Sequence, residues 1–252
     1  MKLLTLARDL RRRRARERQR LFVAEGVRAV EELLASPLAV RGLLVAPQLA
    51  DAPRGAALVE SARRRAVDLS HVDEREFASA AETESPQGVL AIAEIPERRL
   101  DDLALPHRTR LVVLDAVQDP GNVGTILRTS AALGAAAVVA MPGTVDLWNA
   151  KVVRSAMGAL FHSSVYMSTW AELDTFRARH AVVLWGAEAD GTPLERVQPP
   201  DRLALLVGNE GAGLSSEGRA RIEQSVSIPI ASTVESLNVA VATGIILYQV
   251  RS

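Results

Sequence analysis

Apolar positions recur along the chain in short runs that alternate with segments of helical periodicity. In the C-terminal part, near-continuous apolar runs occur at residues 111–115, 136–141, 181–186, 203–207 and 226–230. Such runs, separated by helical patterns, are typical of a parallel sheet covered by helices on both faces. The sequence therefore predicts an α/β domain whose first helix runs from about Asn122 to Gly134 and whose last helix runs from about Leu237 to Val250.

The first 95 residues show a smaller and less regular version of this pattern. A helix is predicted from Arg8 to Arg20, strands at 40–46 and 88–92, and a helix at 56–65. A second helix, ending at Ser36-Pro37, is predicted from the helical spacing of Val23, Val27, Val30, Leu33 and Leu34. Residues 96–110 combine prolines and charges without periodicity. We therefore predict a small α/β domain at 1–95, a linker at 96–110 and the larger domain at 111–252.

Composition excludes several classes of function. The 252 residues include no cysteine and four scattered histidines, so thiol catalysis, an iron–sulfur cluster and a disulfide scaffold are excluded, and no metal is expected. No stretch reaches the roughly 18 consecutive apolar residues that a membrane span requires. No secretory signal pattern follows the first residues. We expect a cytoplasmic protein that does not enter a membrane.

A net charge of zero hides a strongly basic N-terminus. Residues 1–28 contain ten basic and three acidic residues, and 28 of the 30 basic residues in the chain are arginines. Arginine suits phosphate because its guanidinium group can bind two oxygens at once. The cluster indicates either contact with a polyanion or only a solvated helical face.

In an open parallel sheet, ligands bind beyond the carboxyl ends of the strands, so the loops that follow the strands are examined for chemistry. The loop LDAVQDPGNVGTILRT (114–129) contains a tight Pro-Gly turn, after which Asn122 can cap a helix. Arg128 interrupts the apolar pattern of this helix, where a cation needs a partner such as a bound anion.

Two further loops and one segment carry candidate residues. LALLVGNEGAGLSSEG (203–218) is a strand leading into a glycine-rich loop, in which Glu210 disfavours phosphate and suits a cationic or polar ligand. In SIPIASTVESLNVAVATGIILYQV (227–250), Ser236 and Asn238 stand at the head of an apolar helix, where such residues are also ordinary caps. Between the loops, Lys151 and Arg154 share one helical face, which suggests a phosphate contact.

In this order and at these separations, the three loops resemble the SpoU/TrmH family of the SPOUT methyltransferases. DPGNVGTILRTSAALGA matches the first family motif, LLVGNEGAGLS the second, and SIPI with ESLNVAVATGIILYQ the third, so the resemblance spans about residues 111–250. The N-terminal region resembles, more loosely, the ribosomal-protein-like RNA-binding domain that many members carry. One departure is Ala231-Ser232-Thr233, where the family often has a glycine after its Ile-Pro dipeptide.

The resemblance implies a C-terminal α/β trefoil-knot domain that binds S-adenosylmethionine in a bent conformation. It implies transfer of the methyl group to a ribose 2′-hydroxyl of structured RNA, and a homodimer in which the last helix packs against a partner that helps to complete the RNA site. The expected target is 23S ribosomal RNA, with transfer RNA as the alternative and drug-resistance methylation of ribosomal RNA as a special case.

Carried over by motif position, the implied cofactor contacts are Gly208, Asn209, Gly213, Ile228 and Leu237. The implied catalytic residues are Asn122, Arg128, Glu210, Ser236 and Asn238. Arg128 is interpreted as an electrostatic stabiliser and phosphate anchor rather than a base, because a guanidinium holds its proton with a pKa above about 12. Asn122 and Asn238 would position the reacting groups, and Glu210 would orient the second motif or face the sulfonium charge.

Two other classes of function are weighed against this one. A non-catalytic RNA-binding relative would keep the basic N-terminus but lose the polar motif residues, all of which are present. A dehydrogenase-type nucleotide enzyme would need a G-x-G-x-x-G fingerprint, which is absent.

Overall fold

The computed structural model describes residues 2–231 and 233–251, and contacts divide the chain into two compact units. The first unit comprises the residues up to Glu97 together with Asp146–His162, and the second comprises Arg98–Val145 and the residues from Ser163 onward. Residues 146–162, which the sequence boundaries assigned to the larger domain, therefore fold with the N-terminal unit. The reason is packing, because the rings of Trp148 and Phe161 contact the buried ring of Phe22, with centroids 4.6 and 5.8 Å away.

In chain order, the helices are α1 (Leu3–Asp9), α2 (Arg13–Gln19), α3 (Val27–Ala35), α4 (Gly55–Arg64), α5 (Glu74–Ala80), α6 (Pro120–Ala132), α7 (Ala150–Ser155), α8 (Ala159–His162), α9 (Trp170–His180), α10 (Ser216–Arg219) and α11 (Val239–Val250). The strands are β1 (Leu21–Glu25), β2 (Val40–Val45), β3 (Leu69–His71), β4 (Val89–Glu94), β5 (Thr109–Leu114), β6 (Ala137–Ala140), β7 (Val165–Met167), β8 (Val183–Pro193), β9 (Arg202–Val207) and β10 (Gln224–Ser227). Across the described residues, every helix is too short or too polar to cross a lipid bilayer.

The first unit contains a four-stranded sheet in the order β1-β4-β2-β3, in which only β2 and β3 run parallel. The single helix predicted from Arg8 to Arg20 is wrong, because α1 and α2 are separated by a turn at residues 10–12. Arg16 accounts for the break: its buried Nη1 donates to the carbonyl oxygens of Leu10 and Arg11 at 2.8 and 3.0 Å. The Arg16 side chain thus binds the two backbone carbonyl groups at the turn that separates α1 from α2.

The helix predicted across Val23 is also wrong in its first half. Val23 lies in β1 opposite Ile92 of β4, and the helix begins only at Val27. Gly26 separates the two elements with a φ of 98°, a left-handed conformation that favours glycine and interrupts a right-handed helix. The apolar spacing of this segment thus fits a strand followed by a helix as well as it fits one long helix.

The second unit is built on a six-stranded sheet in the order β10-β8-β9-β5-β6-β7, and every pairing between neighbours is parallel. The predicted α/β fold with a parallel sheet is therefore confirmed. Leu114, the last residue of β5, lies opposite Val207, the last residue of β9. The loops that begin at Asp115 and Gly208 therefore leave the sheet side by side at the same edge.

The last helix is tied to this sheet at its C-terminal end by a buried arginine. Arg110 of β5 donates from Nε to the carbonyl oxygen of Val250, and from Nη1 to the carbonyls of Pro200 and Asp201 at 3.0 and 2.8 Å. Burial lowers the pKa of Arg110, and the carbonyl oxygens replace the lost water. This anchor fixes one end of α11, whose other end lies at the candidate site.

Candidate active site

A cavity of about 690 Å³ opens in the second unit where β5, β9 and β10 end. Nine of the ten predicted site residues line it, with the exception of Arg128. Those nine are Asn122, Gly208, Asn209, Glu210, Gly213, Ile228, Ser236, Leu237 and Asn238. The three motifs, which are far apart in sequence, therefore form one concave surface. Of the unusual Ala231-Ser232-Thr233 stretch, Ser232 lies outside the described residues.

Asn122 stands in the first turn of α6, but it does not cap the helix as the sequence suggested. Asp119 is the cap, and its Oδ1 accepts the backbone N–H of Asn122 at 2.8 Å. The Asn122 side chain is therefore free to bond beyond its own helix. Its Nδ2 donates to Glu210 Oε1 at 3.0 Å, and its Oδ1 accepts from Asn238 Nδ2 at 2.8 Å.

Glu210 joins the first motif to the second. Besides Asn122, its carboxylate accepts the backbone N–H groups of Asp119 and Gln118 at 3.0 and 3.2 Å. Partial burial tends to raise the pKa of Glu210, but the hydrogen bonds from Asn122 and the backbone outweigh it and hold the pKa below its ordinary value. The carboxylate is therefore ionised near neutral pH and contributes negative charge to the cavity wall.

The third motif adds Asn238, which acts both as a cap and as a site residue. Its Oδ1 accepts the backbone N–H groups of Ala240 and Val241 at the start of α11, while its Nδ2 bonds Asn122. One chain of hydrogen bonds thus runs from Glu210 through Asn122 to Asn238 and connects all three motifs. Ser236 lines the cavity and makes no hydrogen bond within the described part of the chain.

The glycine-rich loop folds back on itself tightly. Asn209 and Gly213 exchange two backbone hydrogen bonds of 2.9 Å, and Asn209 Oδ1 accepts the N–H groups of Gly211 and Ala212. At Gly208 a Cβ atom would lie only 2.3 Å from backbone atoms of Gly213, so any side chain there would force the loop to shift. At Gly208 the loop therefore presents backbone to the cavity.

A buried carboxylate that the sequence reading did not single out supports the far end of this loop. Asp115, 2% exposed, accepts the backbone N–H of Ser215 at 2.7 Å through Oδ2. Ser215 in turn caps α10 through Gly218. Asp115 thus fixes the end of the glycine-rich loop to the end of β5.

The sequence reading also missed the part of the cavity wall that β8 contributes. Glu188 accepts from Arg219 Nε at 2.7 Å and from Ser225 Oγ at 3.0 Å, and its side chain is 13% exposed. Asp190 lines the same wall. The apolar run predicted this strand only to residue 186, whereas β8 continues to Pro193 without an apolar signal. Together with Glu210, these carboxylates make the cavity acidic and suited to a cationic ligand.

The sequence led us to expect that Arg128, as a cation within an apolar helix, needs a partner. The structure differs from this expectation. Arg128 is exposed to solvent on α6, and its side chain makes no hydrogen bond or ion pair with residues 2–231 or 233–251. The neighbouring Thr129, not Arg128, faces α11, where a Cβ on Gly244 would lie 3.2 Å from it. Within this chain Arg128 is therefore available to a ligand but is not part of the cavity wall.

The depressed pKa of Glu210 predicts a pH-dependent contribution to stability. This contribution is complete above the pKa of an unfolded glutamate, about 4.3, and is lost as the pH falls through the lower pKa of the folded state. Glu210→Gln cannot titrate, so the melting-temperature difference between the unsubstituted protein and the variant should shrink below about pH 4. Calorimetric melting between pH 3 and 7 measures it, with the exposed Glu195→Gln as control. A difference that does not change with pH would contradict the assignment.

The cavity, the glycine-rich loop and the parallel sheet define an α/β protein with a ligand site at the carboxyl ends of its strands. Residues 109–248 match the SpoU rRNA Methylase family, and residues 5–91 match the MRM3-like substrate binding domain. The chain belongs to the SpoU rRNA methylase family. The family recognised from the three motifs is thus confirmed.

Individual relatives agree with this assignment. The 23S rRNA (guanosine(2553)-2′-O)-methyltransferase RlmP of Bacillus subtilis is 34% identical over 243 residues, which cover 96% of this chain and 93% of that protein. The 23S rRNA (adenosine(1067)-2′-O)-methyltransferase of Streptomyces azureus is 38% identical over 63% of this chain and 60% of its own length. The crystal structure of the SpoU methyltransferase AviRb from Streptomyces viridochromogenes in complex with AdoMet is 29% identical, with a TM-score of 0.86 over 99% of this chain and 97% of that one.

Proposed function

We propose that this chain transfers a methyl group from S-adenosylmethionine to a ribose 2′-hydroxyl of 23S ribosomal RNA. The observation that carries the proposal is the single cavity lined by all three family motifs and connected by the Glu210–Asn122–Asn238 hydrogen bonds. The match to RlmP over nearly the full length of both chains supports the same activity. Since such relatives act on ribosomal RNA, the proposal includes a cytoplasmic location.

The residues of the cavity fit S-adenosylmethionine. Apolar walls from Ile228, Leu237 and Ile246 suit the adenine ring, and the backbone of Gly208 and its neighbours supplies hydrogen-bonding groups. The acidic side of the cavity suits the positive charge of the sulfonium and the ammonium group. When bound, the cofactor supplies a methyl group already activated on a positively charged sulfur. We assign cofactor contacts to Gly208, Asn209, Gly213, Ile228 and Leu237.

The polar residues are suited to orienting the acceptor oxygen. A new bond forms between the ribose oxygen and the methyl carbon while the sulfur–carbon bond breaks, so alignment and loss of the hydroxyl proton are the main tasks. Asn122, Asn238 and Ser236 would hold the ribose near the cavity. Arg128 would stabilise the developing negative oxygen, and the proton would leave to phosphate or water, because a guanidinium does not act as a base near neutral pH.

The proposed substrate is defined by the ribose and the RNA, not by the base. Relatives at similar identity act on a guanosine and on an adenosine, so base identity does not follow from overall similarity. The similarity to 23S rRNA methyltransferases favours ribosomal RNA over transfer RNA. The domain boundaries at 1–95 and 111–252 remain part of this proposal except for residues 146–162, which pack with the first unit. The trefoil knot remains part of it as well.

A homodimer through α11 is part of the proposal. Val241, Ile245 and Tyr248 are 52, 41 and 58% exposed, and their spacing forms one apolar stripe along the helix. The opposite face of α11 is buried within the unit. In a dimer, the partner helps to complete the RNA site, which would explain why Arg128 lies outside the cavity of its own chain.

The proposed dimer can be tested by a substitution in the exposed apolar stripe of α11. Ile245→Glu should shift the protein from dimer to monomer, because a charge in the centre of an apolar interface is left without a partner. Light scattering at micromolar concentration measures the mass. Met167→Glu, at another exposed apolar residue on β7, is the control and should not change it. A monomeric unsubstituted protein would contradict the dimer.

The proposed activity is tested by methyl transfer from labelled S-adenosylmethionine to 23S ribosomal RNA, 16S ribosomal RNA and transfer RNA in the presence of a chelator. Labelled methyl groups that are found in 23S RNA and that map to a 2′-O-methylated nucleotide support the proposal. Label only on transfer RNA would select the alternative substrate. RNA binding without methyl transfer or cofactor binding would identify a non-catalytic relative instead.

A further inference from the structure

A groove of about 560 Å³ in the first unit brings together cations from two distant parts of the chain. Its walls are formed by Arg8, Arg11 and Arg12 near the turn between α1 and α2, by Lys151 of α7, and by Glu82. All four basic side chains are exposed, and they face a single carboxylate. We call this feature the basic groove. It shares no lining residue with the cavity lined by the three motifs.

A buried ion pair holds the two parts of the groove together. Arg16, whose side chain is 5% exposed, donates from Nε and Nη2 to Asp146 Oδ2 at 2.8 and 2.6 Å. The third nitrogen of the same guanidinium, Nη1, holds the carbonyl oxygens of Leu10 and Arg11 in the turn. Asp146 begins the segment that leads into α7 and Lys151. One arginine therefore fixes both the turn that carries the arginines and the segment that carries the lysine.

The basic side chains of the groove make few hydrogen bonds within the protein. Arg8 donates from Nε to Ser79 Oγ at 2.7 Å, and Arg11 donates from Nη1 to the carbonyl oxygen of Ser79 at 3.3 Å. Arg12 has a distant contact of 3.9 Å with Asp9. The Lys151 ammonium has no acceptor within the described part of the chain. Arg8 and Arg11 are thus oriented by one hydrogen bond each, and all three arginines remain exposed to solvent.

We propose that the basic groove binds the phosphodiester backbone of the RNA substrate, an inference that rests on the proposed function. Four cations against one anion make the groove strongly positive, and bringing them close is unfavourable until an anion neutralises them. The four cations come from separate positions in two segments of the chain, and successive phosphates of an RNA strand match such separated cations better than one phosphate ion does. Lys151 lies in the segment matched to the methylase family, so the RNA site extends beyond the N-terminal substrate-binding match.

Equilibrium binding of a fluorescent 23S RNA fragment to the full chain tests the groove across a range of salt concentrations. Lys151→Gln and Arg11→Gln should each weaken binding roughly threefold to tenfold and lower the slope of log affinity against log salt by about one. Glu82→Gln removes the opposing charge and should tighten binding. Arg64→Gln, an exposed arginine of α4 outside the groove, is the matched control and should have little effect.

The outcomes separate this proposal from the enzymatic one. Melting temperature checks that each variant is folded, and single-turnover methyl transfer by the unsubstituted protein and by the control Arg64→Gln shows whether the chain is active. If methyl transfer occurs but the groove variants bind RNA like Arg64→Gln, the groove proposal is overturned and the proposed function stands. If RNA binding depends on the groove but no transfer occurs, the enzymatic proposal fails alone. Tighter binding of poly-glutamate than of RNA would also overturn the groove assignment.

Discussion

Replacement of Arg128 by alanine should lower the rate of methyl transfer by about a hundredfold or more, the range found when a charge-stabilising donor is removed from an active site. Its cofactor affinity and melting temperature should stay near those of the unsubstituted protein. The structure sharpens this expectation, because Arg128 is exposed and forms no ion pair within the described residues. Arg128 therefore neutralises no carboxylate among residues 2–231 and 233–251, and its replacement should cause no loss of stability through a broken ion pair.

Single-turnover kinetics and thermal melting on the same preparation measure both properties. Arg128→Lys should recover little activity, since a point charge on a flexible chain does not reproduce the planar guanidinium. Arg196→Ala is a suitable control, because Arg196 is exposed in the same unit and lies outside the cavity. A stably folded Arg128→Ala protein that methylates RNA at a near-normal rate would remove Arg128 from the mechanism.

The sequence was informative about the site because the motifs follow strands. Parallel strands end at the same edge of a sheet, so loops after strands were the correct places to search. That β5 and β9 are neighbours, with Leu114 opposite Val207, depends on long-range pairing that the apolar pattern does not encode. The role of Asn122 was also ambiguous, because an asparagine after a Pro-Gly turn fits a cap. Only the position of Asp119 shows that its side chain is available.

The first unit was less predictable for a different physical reason. Its integrity depends on contacts between residues far apart in sequence, such as the pair Arg16 and Asp146. Neither residue stands out locally, since one lies in a run of arginines and the other in an ordinary turn. The same arginine binds the carbonyl oxygens of the turn that breaks the N-terminal helix, and its pair with Asp146 adds to the ring contacts that join residues 146–162 to this unit. Helical periodicity reports local geometry, and it does not reveal a side chain that binds the carbonyls of a turn.

The second large effect is expected at Gly208, the first residue after β9. In Gly208→Ala the new methyl group would lie 2.3 Å from the backbone carbonyl of Gly213 and 2.5 Å from the nitrogen of Leu214. These are backbone atoms, so the loop has to open and its paired hydrogen bonds between Asn209 and Gly213 have to lengthen. Overpacking of this kind costs roughly 1–3 kcal/mol. If that cost falls on the loop conformation that binds the cofactor, cofactor affinity drops by about fivefold to 150-fold.

Gly211→Ala provides a control in the same loop. A Cβ on Gly211 would meet only Asn209 Oδ1, at 3.8 Å, which is ordinary contact, and Gly211 does not have a positive φ. Isothermal calorimetry with S-adenosylmethionine and chelator should therefore show weak binding for Gly208→Ala and nearly unchanged binding for Gly211→Ala. Because both variants add one methyl group to the same loop, a general intolerance of side chains would weaken both equally. Equal affinities for the two variants would mean that the close approach at Gly208 does not shape the cofactor site.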